Sequence, residues 1–131
     1  AGRLAELPGA GAAGGCGFGL ALIGAQLRSG AALVCDLVGL DTAIAGSRLV
    51  LTGEGRLDSQ TASGKAPHEV ALRARRAGVP CAVIAGDVVE PVDDVYTGTV
   101  SLREVAGSLD VIQDAETVVR EAARTAVERF S

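Results

Sequence analysis

Two short apolar runs with a helical stretch between them constrain this chain more than any other feature. Leu49, Val50 and Leu51 form the first run, and Val79 to Ala85, VPCAVIA, has the length and branching of a second buried strand. Pro67 to Ala77 reads as the helix between them. Pro67 supplies the fixed backbone angle of a first turn, and Val70 and Leu72 to Ala74 contain the apolar positions. Arg73, Arg75 and Arg76 make the last turns basic, and Gly78 ends the helix. Leu49 to Gly86 is thus a strand, helix, strand unit, which joins parallel strands by a preferentially right-handed crossover. The class expected from it is α/β, a parallel sheet with flanking helices.

Polar residues crowd in behind the first strand. Gly53 and Gly55 are expected to end it by taking backbone angles closed to other residues. Glu54, Arg56, Asp58, Gln60, Thr61, Ser63 and Lys65 all fall within twelve positions. Loops at the carboxyl ends of parallel strands are where α/β sheets bind ligands. Glu54 and Asp58 can bind Mg²⁺ through water or accept a proton from a substrate hydroxyl. Arg56 offers a planar fork for a carboxylate or phosphate, and Lys65 a point charge just before a helix start. The plainer alternative is a solvated loop in which Glu54 pairs with Arg56 or Lys65. A Walker A loop is excluded, because eight residues separate Gly55 from Gly64-Lys65 and Ala66 stands where Ser or Thr is required.

Upstream, PGAGAAGGCGFGLALIGAQLRSG is dense in glycine. Gly9, Gly11 and Gly14 satisfy GxGxxG, but no hydrophobic strand precedes them, so a dinucleotide fold does not follow. A helix from about Gly15 to Leu27 is expected. Its start can hold an anion on free N–H groups near Gly14 and Gly15, or the small residues can serve close packing alone. Ala31 to Leu40 fits either a strand or a short helix, and Asp41 resembles an N-cap for a turn through Ala45 that Gly46 stops. Gly86 and Asp87 are expected to open a second loop beside Gly53. A weaker strand is expected over Thr99 to Leu102, followed by an amphipathic helix on which Leu109, Ile112, Ala115, Val119, Ala122, Ala126 and Phe130 recur at helical spacing.

A chain of 131 residues suits one domain with a substantial core. Its net charge of −4, without a concentrated basic surface, speaks against nucleic acid as a partner. No apolar run is long enough to span a bilayer. Cys16, Cys35 and Cys81 are widely spaced among apolar neighbours and read as reduced core residues of a cytoplasmic protein. The chain begins at Ala1 and contains no Met, as a piece of a longer protein would.

The run TGEGRLDSQTASGKAP, with PGAGAAGGCGFGLALIGAQLRSG and DLVGLD upstream and AGVPCAVIAGD downstream, closely resembles the carboxyl-terminal part of class I glycerate kinases. The resemblance runs from Pro8 to about Gly86 and thins beyond it, where Asp87-Val88-Val89-Glu90-Pro91 departs from the family's glycine-containing segment. It implies a Rossmann-like segment within a larger two-domain kinase. Residues 1–40 would finish the inserted glycine-rich domain and 41–131 the carboxyl-terminal part of the Rossmann-like one, and the amino-terminal part of the enzyme would be missing. The implied activity is Mg²⁺-dependent transfer of the ATP γ-phosphoryl group to D-glycerate, giving 2-phosphoglycerate, with 3-phosphoglycerate open. On that reading Glu54, Asp58 and Lys65 are catalytic, Glu54 and Asp58 hold metal, and Arg56, Gln60, Thr61, Gly14 and Gly15 bind substrate. The piece alone would be inactive, and a homodimer is open to it. A non-catalytic module binding a small hydroxy acid or nucleotide is the alternative.

Overall fold

The structure, a computed structural model, describes residues 2–57, 66–89, 92 and 94–131. Four helices come first: α1 (Gly2–Ala5), α2 (Ala12–Leu22), α3 (Gly30–Leu37) and α4 (Leu40–Ala45). Then follow β1 (Val50–Leu57), α5 (Ala66–Arg76), β2 (Cys81–Val88), β3 (Gly98–Ser101), α6 (Leu102–Ala106) and α7 (Ala115–Phe130). Among the described residues the strands form one sheet in the order β1-β2-β3, parallel throughout. This is the α/β class read from the crossover unit.

β2 is the central strand, and its residues alternate between two cores as a pleated strand requires. Cys81, Val83 and Ala85 pack on one face with Ala71 and Ala74 of α5 and Ile44 of α4. Ala82 packs on the other with Val100 of β3 and Ala122 and Ala126 of α7, and Phe130 and Leu102 border that cluster. Small residues on both sides of the sheet let the helices approach it closely.

Several local expectations are corrected. β1 does not end at Gly53 but runs to Leu57, because β2 offers a ladder the whole way: Glu54 is opposite Ala85, Arg56 opposite Asp87 and Leu57 opposite Val88. Gly53 and Gly55 are absent from the residues of positive φ, so their role there is not an unusual backbone angle. Gly86 and Asp87 likewise belong to β2 and do not open a loop. Residues 31–37 are helical, with the Ser29 hydroxyl accepting from the Ala32 N–H at 3.4 Å as the cap. Gly39, with φ of 66°, occupies the N-cap of α4, and Asp41 lies in its first turn. α2 stops at Leu22, five residues short of the expected end, where Gly24 turns to φ 91°.

The last helix starts at Ala115 because residues before it are engaged in a side-chain turn. Asp110 Oδ1 accepts from the N–H groups of Ile112 and Gln113, and Asp114 Oδ2 accepts from that of Asp110. Its buried stripe is Val118, Ala122 and Ala126, while Val119, Leu109 and Ile112 are exposed. Cys35 and Cys81 are buried as read, but Cys16 is exposed. No helix among the described residues is long and apolar enough to cross a membrane.

Candidate functional site

The carboxyl ends of β1 and β2 carry the described part of the polar cluster. Glu54 is half-buried, and its Oε1 accepts from the Gly55 N–H at 3.0 Å. Arg56, two residues on, is exposed and stands opposite Asp87 of β2. Asp58, Gln60, Thr61 and Lys65 lie outside the described residues.

Where Gly86 meets Gly55, the strands leave no room for a side chain on Gly86, whereas a Cβ on Gly55 would point into open space. A Cβ on Gly86 would stand 2.6 Å from the Gly55 carbonyl oxygen, closer than atoms pack. This bare stretch of backbone forms one wall of a cavity of about 430 Å³. Asp87 and Arg103 border it on one side, and Leu109, Val111 and Ile112 give an apolar side, with Asp110 between them. The Arg103 Nε and Asp87 Oδ1 are 3.8 Å apart, a long ion pair between solvent-accessible groups that holds neither firmly. Hydrogen bonds from Gln113 and Ile112 N–H groups hold the Asp110 carboxyl below its ordinary value, so it is ionised at neutral pH. Ile112 is 86% exposed at the cavity rim.

A second groove, about 440 Å³, lies on the α7 side of β1 and is lined by Leu51, Gly53, Glu54, Ile84, Val119 and Ala123. Glu54 thus borders a hollow that is otherwise largely apolar. Gly14 and Gly15 lie apart from both of these linings, in α2. With Ala13 they take positive φ values of 50°, 68° and 94° in chain order, so the regular helix begins beyond them. The Gly15 N–H is donated to Gly11 O and the Phe18 N–H to Ala10 O, which uses two of the donors near this turn. Beside the turn, Gly9, Ala13, Cys16, Gly17, Leu20 and Leu27 are among the residues lining a third hollow of about 610 Å³.

Among the described residues no three His, Cys, Asp or Glu side chains cluster as a metal site. Mg²⁺ does not require such a cage, since it is commonly held by one or two carboxylates together with substrate phosphates and water. Glu54, in the carboxyl-terminal half of β1, is a candidate carboxylate for such a role.

Sequence reasoning passes over two positions that the fold makes special, Arg73 and Arg103. Arg73 reads as one of three basic residues in a last helical turn, yet it is only 9% exposed and bonded to three carboxylates. Arg103 lies in a five-residue helix that carries too little periodicity to be seen.

Comparison with known proteins gives one consistent result. A family model described as the glycerate kinase family matches residues 1–131. A glycerate kinase of Bacillus cereus is 38% identical over 120 residues, covering 90% of this chain and 32% of its own length. A glycerate 2-kinase of Escherichia coli is 40% identical over 112 residues, covering 84% of this chain and 29% of its own. A crystal structure from Salmonella typhimurium LT2, provisionally named glycerate kinase 2, superposes with a TM-score of 0.61 at 39% identity, over 92% of this chain and 31% of that one. The chain therefore spans about a third of the length of the relatives it matches.

Proposed function

This chain belongs to the glycerate kinase family, and from that premise we propose that it supplies the carboxyl-terminal part of an ATP-dependent kinase acting on D-glycerate. The product is 2-phosphoglycerate, with 3-phosphoglycerate the other hydroxyl's outcome. Residues 1–40 finish an inserted domain and 41–131 part of the Rossmann-like one. The observation that carries the reading is the family match over the whole chain, together with Glu54 and Arg56 in the carboxyl-terminal half of a parallel strand.

Phosphoryl transfer asks a protein chiefly for positioning and charge neutralisation. Arg56 and Lys65 are the cations for the glycerate carboxylate and the phosphates. Gln60 and Thr61 orient the substrate, and the turn at Gly14 and Gly15 lies near an anion, with the Gly15 N–H already donated to Gly11 O. Glu54 and Asp58 hold Mg²⁺ or take the proton of the attacking hydroxyl. When bound, Mg²⁺ would neutralise charge on the phosphates. The reaction is placed in the cytoplasm, where ATP and D-glycerate are its partners.

The test is a graft in which residues 1–131 replace the matching third of the Bacillus cereus relative. Its ADP release is followed with D-glycerate and Mg-ATP, and phosphorus NMR identifies the product. Glycerate-dependent ADP release supports the reading, whereas a folded graft that forms no phosphoglycerate rejects it. On the alternative reading, residues 1–131 bind a small hydroxy acid or nucleotide without turnover. Calorimetry beside the ADP assay distinguishes the two.

A further inference from the structure

We infer that the cavity at the carboxyl ends of β1 and β2, walled by Gly55, Gly86, Asp87, Arg103 and Ile112, is the pocket for the nucleoside part of the phosphoryl donor. This rests on the proposed ATP dependence and adds a location to it. Size favours an occupant larger than the acceptor. About 430 Å³ lies within the ordinary range of ligand pockets, roughly 300–1,000 Å³. A three-carbon acid would leave most of it unfilled.

The lining points the same way. Leu109, Val111 and Ile112 give an apolar side suited to a flat base, and a small hydroxy acid has no apolar surface to place there. Asp87 is the penultimate residue of β2 and lies beside bare glycine backbone. An ionised carboxylate there can accept from a ribose hydroxyl. The Arg103–Asp87 pair, long and solvent-accessible, costs little to separate when a hydroxyl takes the carboxylate. Charge then sets the limit of the pocket. Its ionisable lining is Asp87 and Asp110 against Arg103, an excess of negative charge, so a polyphosphate tail does not lie inside it. Arg103 at the rim meets the first phosphate, and the rest of the tail leads out of the cavity.

The 131-residue chain, labelled with ¹⁵N, is titrated with ADP, adenosine, 2′-deoxyadenosine and tripolyphosphate. Adenosine and ADP are expected to shift the amides of Gly55, Gly86 and Ile112, and tripolyphosphate to leave Ile112 unmoved. Adenosine should bind about fivefold more tightly than its 2′-deoxy form, and Asp87→Ala should remove that preference. A tripolyphosphate pattern matching that of ADP, or shifts absent or confined elsewhere, overturns the inference. In the graft, Ile112→Ser is expected to raise KM for ATP about fivefold and to leave KM for D-glycerate within about twofold. The reverse pattern also overturns it, while continued phosphorylation of glycerate would leave the kinase reading standing.

Discussion

Arg73 on α5 donates from Nη2 to Asp36 Oδ1 on α3 at 2.7 Å, across 37 positions of sequence. The same guanidinium reaches the Ala32 carbonyl at 3.2 Å, Asp41 of α4 at 3.0 Å and Glu69 of its own helix at 2.7 Å. One nearly buried side chain therefore ties α3 and α4 to the helix that covers the sheet. Without it, Asp41 and Glu69 lose the guanidinium that bridges them, and Asp36 keeps only its exposed pair with Arg28 at 2.8 Å. Arg73→Met is expected to lower the Tm by about 5 °C or more. Arg73→Lys should recover only part, because an ammonium cannot serve several acceptors as a planar fork does. Thermal unfolding followed by circular dichroism decides it, and a Met variant that melts with the wild type contradicts the account.

Acid should undo part of the same tie. The hydrogen bond from Arg73 is the main cause holding Asp36 below its ordinary carboxyl value of 3.8, and Asp110 is held low by Gln113 and Ile112. A carboxyl more acidic in the folded chain gives the native state fewer bound protons than the unfolded one. Its contribution is present above the ordinary value and lost as pH falls through the folded one. The urea midpoint is expected to fall steeply below about pH 4, and less steeply in Asp36→Asn. Equal slopes in the two proteins would contradict this.

Gly86, pressed against the Gly55 carbonyl, should tolerate no side chain. Gly86→Ala places a Cβ against backbone, which cannot swing aside, so β1 and β2 must separate. A loss of about 1–3 kcal/mol is expected from such overpacking. Denaturant unfolding measures it, and a neutral substitution would show that the strands part easily.

Thiol chemistry should separate the cysteines. Burial pushes the Cys81 thiol up to about 11, so at neutral pH it carries almost no thiolate, whereas Cys16 is exposed. Because the unfolded thiol ionises first, this burial also costs stability as pH climbs from about 9 through about 11. With a chromogenic disulfide reagent, Cys16 is expected to react in the native chain and Cys35 and Cys81 only after denaturant is added. Fast native labelling of Cys81 would contradict the buried assignment.

The crossover unit is legible in the sequence because Val79 to Ala85 and Pro67 to Ala77 carry their own local signals: branched apolar side chains in one, a first-turn proline and terminal glycine in the other. The reach of β1 through Gly53–Leu57 is not, since those residues have no apolar pattern and become a strand only through pairing with β2. Arg73 is hidden for a similar reason. Its partners Asp36 and Asp41 are distant in sequence, and nothing local distinguishes it from Arg75 and Arg76. On α7, spacing marks a helix, but the packed sheet chooses Val118 over Val119 for burial. Of the candidate site, Glu54 and Arg56 are singled out by their local sequence, while the cavity near Arg103 depends on α6 and the Asp110 turn lying beside the strand ends.

The central claim, that the polar segment from Glu54 to Lys65 serves phosphoryl transfer, is tested most directly by the specificity constant of the graft for D-glycerate with Glu54→Gln and, separately, Lys65→Ala. Each substitution is expected to lower it by at least about tenfold, roughly 1.4 kcal/mol of transition-state stabilisation. Both variants remaining within about twofold of the unsubstituted graft, under roughly 0.4 kcal/mol, would contradict the claim.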